Sequence, residues 1–152
     1  MKAAPARELL TARDVMTSPP ICVESGASIS EVAAILDENE ISGAPVLDDQ
    51  ERPIGVVSRT DLLRLLIEGG PGRRPDRTVL ELIAASAPSG LSVDVEVLGP
   101  VEEFMTPDPV TVAPELPIAK VAARMAEERV HRVIVVGKDG RVAGVVTTLD
   151  LL

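Results

Sequence analysis

Displaced by 89 residues, the chain matches itself. The shift sets Met16-Thr17 on Met105-Thr106, Pro20 on Pro109, Val23 on Val112 and Ile29 on Ile118. It continues without a gap, through Val32-Ala33-Ala34 on Val121-Ala122-Ala123, Val46 on Val135, Gly55-Val56-Val57 on Gly144-Val145-Val146, and Asp61-Leu62-Leu63 on Asp150-Leu151-Leu152. Residues 14–63 and 103–152 share 17 identities in 50. Self-similarity over such a length means two copies of one supersecondary unit. Copies this small bury too little surface alone, so they are expected to pack together about a pseudo-twofold axis.

Each copy reads the same way locally. Ser28 suits a helix N-cap ahead of Ile29, Val32, Ala33 and Leu36, which fall at helical spacing. In copy two Pro117 opens the first turn before Ile118, Val121, Ala122 and Met125. Short apolar runs at 44–47 and 133–136 are each followed by a polar turn and a second run, at 54–57 and 142–146, which predicts a hairpin in each copy. A second helix is expected from Arg59 and from Thr148, with Asp61 or Asp150 in its first turn, where a carboxylate complements the helix dipole. The unit is therefore an extended segment, helix, β-hairpin and helix, and the fold class is α+β.

Between the copies, residues 64–102 have another character. A glycine- and proline-rich loop, a short helix over 79–86 and an alternating strand over 91–97 are expected there, as a linker insertion. Its glycines make no phosphate loop, because no Gly-Lys-Ser/Thr follows.

Composition narrows the function. Apolar residues are 45% of the chain and the net charge is −9, but there is no Trp, no Tyr and a single Phe, Phe104. Nucleic-acid binders that stack bases above a basic groove need both rings and positive charge, so no nucleic-acid partner is expected. The lone Cys22 allows no internal disulfide or cysteine zinc site, which suits a reducing cytoplasm; it reads as a packing residue. No apolar run is long enough for a membrane span or an export signal. One His, His131, without a nucleophile-elbow sequence gives no catalytic triad, so no enzyme activity is expected.

The paired pattern of Asp14-Val15-Met16-Thr17 and Gly55-Val56-Val57-Ser58-Arg59-Thr60-Asp61, repeated as Glu103-Phe104-Met105-Thr106 and Gly144-Val145-Val146-Thr147-Thr148-Leu149-Asp150, resembles a tandem CBS domain pair, the regulatory unit called a Bateman module. The resemblance covers about 100 of the 152 residues. It implies two clefts between the repeats that in many members bind adenosine-containing ligands of the AMP, ADP and ATP class, with S-adenosylmethionine, NAD-type ligands or divalent cations as alternatives. It also implies a homodimer and an effector partner or domain that the sequence does not name. A structural dimerisation module with vestigial clefts is the reading from another class.

The motif has its own chemistry. A carboxylate in a first helical turn can accept from both ribose hydroxyls, while a hydroxyl three residues earlier and the N–H groups of the turn can face a phosphate. Asp61 and Asp150 would read ribose, with Ser58 and Thr147 on the phosphate side. The same residues also suit plain N-capping. In the family pattern His131 and Arg132 lead into the copy-two hairpin where basic phosphate contacts occur; copy one has Ser42-Gly43 there, and only Arg59 can help. With no ring near either motif, adenine would lie between Ile21 and Ile41 in copy one, or Val110 and Val130 in copy two. Ten acidic residues against two basic ones leave copy one at −8, whereas seven against six leave copy two at −1. A phosphorylated ligand, with or without Mg2+, is thus expected to favour copy two.

Overall fold

The computed structural model describes residues 10–68 and 99–152, with side chains of 66–68 outside that description. The expected loop, helix and strand between the copies lie outside the described residues. The chain forms two compact units, and its first described element is the one-turn helix α1 (Ala12–Val15).

The helix and hairpin of copy one, apart from the turn at Gln50–Pro53, lie in one unit. Strand β1 (Val23–Glu24) pairs in parallel with β2 (Gly43–Leu47), Val23 opposite Val46, and helix α2 (Ile29–Glu38) makes the crossover that a parallel pair requires. Strand β3 (Pro53–Ser58) lies beside β2 and leads into α3 (Arg59–Glu68). The sheet gains a fourth strand from far along the chain: β4 (Thr106–Pro107) runs antiparallel to β3, with Gly55 opposite Pro107 and Val56 opposite Thr106. Ser28 caps α2 as expected, its hydroxyl accepting from the Glu31 N–H at 3.2 Å. Ile29, Val32 and Leu36 turn the buried face of that helix onto Val23, Ala44, Val46 and Val57.

The other unit is built likewise from copy two. Strand β5 (Thr111–Val112) pairs in parallel with β6 (Arg132–Val136), and β6 pairs antiparallel with β7 (Val142–Thr147). Helix α4 (Ile118–Glu128) has Pro117 at its N-cap and buries Ile118, Val121 and Met125. A bridge between Thr17 and Val145 stands where β4 stands in the other sheet. After Thr147 the expected second helix is only a 3-10 turn, Thr148–Leu151, where copy one has the ten-residue α3.

Each unit therefore contains the segment that leads into the opposite copy. Val101 is fully buried, and Phe104 and Met105 pack with it on the copy-one core. Ala12 is fully buried with Val15 and Met16 against the copy-two core. Backbone bonds fix the exchange: Val101 N–H donates to the Ala27 carbonyl at 2.8 Å, Ala12 N–H to the Leu116 carbonyl at 2.9 Å, and Thr17 N–H to the Val145 carbonyl at 2.9 Å.

The helices at equivalent places in the two copies, α2 and α4, are each followed by a left-handed residue that is not glycine, Glu40 at φ 52° after α2 and Arg129 at φ 56° after α4. The chain reverses there, and Ile41 N–H reaches the Leu36 carbonyl while Val130 N–H reaches that of Met125, each at 3.0 Å.

Candidate functional site

The motif turns form where a β-strand passes directly into a helical turn. In the copy-one unit Ser58 ends β3; its N–H donates to Asp61 Oδ2 at 2.8 Å and its hydroxyl donates to the same oxygen at 3.0 Å. Asp61 N–H returns a bond to Ser58 Oγ at 3.2 Å, and the Asp61 side chain is buried. Thr147 and Asp150 repeat the arrangement at 2.7 and 3.1 Å. The next N–H of each turn is also engaged: Arg59 N–H donates to the Ser42 carbonyl at 2.9 Å and Thr148 N–H to the His131 carbonyl at 3.0 Å. Hydroxyl donors and the first N–H groups thus serve the turn itself.

The remaining expected residues fall into the same two groups. Arg132 begins β6 as the cross-strand partner of Thr147, half-buried, and His131 precedes it, exposed. Val110 accepts from the Ile134 N–H at 3.0 Å, and Val110 and Val130 pack half-buried against the core of that unit. In the copy-one unit Arg59 is exposed, Ile41 packs against the core, and Ile21 is 36% exposed just before β1. Thus Thr147, Asp150, His131 and Arg132 meet at one strand end, and Ser58, Arg59 and Asp61 at the other.

Sequence reasoning missed three features. Arg64, one turn along α3, sets Nη1 4.0 Å from Asp61 Oδ1, so the second carboxylate oxygen of that site faces a cation. A third box of the same kind joins Thr11 to Asp14, with Thr11 N–H and hydroxyl donating to Asp14 Oδ2 at 2.8 and 3.0 Å. Those bonds hold the Asp14 carboxyl below the ordinary carboxylate range. Lastly, the motif glycines are covered. A Cβ on Gly55 would lie 2.5 Å from Met105 Sδ and 2.8 Å from the Thr106 carbonyl, and on Gly144 2.5 Å from Met16 Sδ and 2.9 Å from the Thr17 carbonyl. The signal was present, since Met-Thr and Gly-Val-Val are identical in both copies. Among the described residues no group of three or more His, Cys, Asp or Glu could hold a metal ion, and no helix is long and apolar enough to cross a membrane.

Residues 12–68 and 101–152 each match the CBS domain, and together they make up more than half of the chain. The chain belongs to the CBS domain family. Its CBS repeats are 26% identical to those of CBSX2, a plant protein of Arabidopsis thaliana solved in complex with AMP, at a TM-score of 0.69 over 93% of both chains. A CBS domain protein of Pyrobaculum aerophilum, complexed with AMP, is 25% identical at a TM-score of 0.68, over 93% of this chain and 89% of that one. Among curated relatives, the A-adding tRNA nucleotidyltransferase of Aquifex aeolicus is 29% identical over 94% of this chain. This CBS pair spans only 14% of that enzyme's length.

Proposed function

We propose that this CBS pair is a non-catalytic regulatory module that binds an adenosine-containing ligand of the AMP class, with the Thr147–Asp150 unit binding the phosphorylated form more tightly. The observation that carries the reading is the grouping of Arg132, His131, Thr147 and Asp150 at one strand end. Two AMP-bound CBS relatives that align over nearly the whole chain support it. Regulation follows from differential affinity, since a ligand shifts an equilibrium only by favouring one conformation over another. The reading includes a cytoplasmic homodimer that passes ligand occupancy to an effector; Leu63 and Leu149, 50% and 77% exposed, are apolar surface available for such association. A magnesium ion accompanying ATP would be carried by the ligand's phosphates. The nucleotidyl transfer of the Aquifex relative is not carried over.

Titration calorimetry with AMP, adenosine and pyrophosphate tests the proposal. AMP binds and raises Tm, pyrophosphate alone does not, and Arg132→Ala weakens AMP far more than adenosine because the guanidinium serves the phosphate. No heat and no rise in Tm with AMP or adenosine would overturn it. One observation favours a second reading, a structural module with vestigial clefts: both motif carboxylates are already engaged as helix caps. That reading expects none of these ligands to bind.

A further inference from the structure

Met16 and Met105 occupy equivalent positions, each laying a thioether across the glycine that opens the motif, within β7 or β3. In both cases the contact is tight, because a single added carbon on the glycine would collide with the sulfur. Both methionines are partly exposed, whereas Met125, inside the copy-two core, is only 4% exposed. The segments they anchor pair with the sheets over a short span. Thr17 makes one isolated bridge to Val145, and β4 is two residues long. The strands they cover run straight into Thr147 and Ser58. A chemical change at either sulfur therefore acts on the edge of a sheet whose far end carries the motif turn.

The geometry points to a redox device: oxidation of Met16 and Met105 to the sulfoxide by a hydroperoxide releases the leading segments from Gly144 and Gly55 and loosens the motif strands. In the reaction the thioether sulfur gains one oxygen atom and loses two electrons, the O–O bond of hydrogen peroxide breaks, and the peroxide is reduced to water. The product is larger and strongly polar, and neither property suits a sulfur pressed on a glycine at the border of an aliphatic core. Reduction by a thiol-dependent methionine sulfoxide reductase would restore the thioether, so the change is reversible in kind. Selectivity follows from burial, since Met125 is shielded until its unit opens.

The experiment treats the full chain with hydrogen peroxide, maps sulfoxides by peptide mass spectrometry and follows amide hydrogen exchange at Thr17 and Val145. Expected are sulfoxides at Met16 and Met105 while Met125 remains a thioether, with exchange at Thr17 and Val145 faster by about tenfold or more, the mark of local opening. Reductase treatment returns the original exchange, and Met16→Leu with Met105→Leu, a volume-conserving change, removes the peroxide response. Equal oxidation of Met125, unchanged exchange after Met16 and Met105 are oxidised, or an undiminished response in the leucine variant would each overturn the proposal. None of these readouts depends on ligand binding.

Discussion

Met16 and Gly144 lie 128 residues apart in sequence and in direct contact in the fold, the Met16 thioether resting where a Gly144 side chain would begin. The contact makes glycine a packing requirement at the head of the motif, apart from any ligand. Alanine at Gly144 would meet the flexible Met16 side chain and also the Thr17 carbonyl at 2.9 Å, a backbone atom already paired with Val145. Gly144→Ala and Gly55→Ala should each cost about 1–3 kcal/mol, the range for overpacking a tight contact. Circular dichroism melts are the suitable probe in a chain without Trp or Tyr. Adding Met16→Ala to Gly144→Ala should recover only part of the loss, because the carbonyl contact remains. A neutral Gly144→Ala would contradict the packing account.

Glu40 and Arg129 carry left-handed strain at equivalent helix ends. For an L-residue that conformation costs about 1–2 kcal/mol, whereas glycine there forgoes the strain but loses roughly 0.5–1 kcal/mol in additional chain entropy on folding. Glu40→Gly and Arg129→Gly are therefore each expected to stabilise by about 0.5–1 kcal/mol, a rise of a few degrees at most in Tm for a domain of this size. Lowered melting temperatures in both variants would show that the side chains contribute more than their backbone strain costs.

The helices and hairpins were open to reading because their signals are local. Ile29, Val32 and Leu36 repeat at helical spacing, and the paired apolar runs bracket polar turns. The exchange of leading segments was not, since it joins Thr17 to Val145 and Val56 to Thr106, pairs 128 and 50 residues apart. The identical Met-Thr and Gly-Val-Val copies make either pairing equally good by pattern. The difference resides in residues that do not repeat. Arg13 meets Glu115 at 3.4 Å, while Glu102, at the repeat position of Arg13, accepts from the Gly26 N–H at 2.6 Å. Reversed pairing would set Glu102 beside Glu115 and Arg13 beside an N–H donor. The motif residues and their suitability as caps were legible from spacing, whereas Arg64 beside Asp61 was not, because no repeat or motif singles it out.

Asp14 gives a pH signature with a definite sign. Bonds from the Thr11 N–H and hydroxyl favour its ionised form, with Arg13 adding a smaller attraction, so the folded pKa lies below the ordinary 3.8. A group depressed on folding contributes stability above its unfolded value, and that contribution disappears as pH falls through the folded value. The Tm difference between wild type and Asp14→Asn should be open at neutral pH and close progressively below about pH 4. A difference that grows on acidification would reverse the assignment.

Three equivalent boxes make it possible to separate capping from ligand binding. Thr11–Asp14, Ser58–Asp61 and Thr147–Asp150 share one geometry, but only the last two follow a Gly-Val-Val strand. Asp14→Ala, Asp61→Ala and Asp150→Ala should each lower Tm, because each removes the carboxylate half of a capping box. Their effects on AMP should differ. Loss of a hydrogen bond to a charged group costs about 1.5–3 kcal/mol, so Asp150→Ala should weaken the tightest AMP event roughly tenfold to hundredfold. Asp61→Ala should touch only a weaker event, because Asp61 Oδ1 already faces Arg64 and copy one carries −8. Asp14→Ala should leave AMP affinity unchanged while lowering Tm. Titration calorimetry on the three variants gives the comparison, and equal loss of AMP affinity in all three would mean that the carboxylates act on the ligand only by holding the fold together.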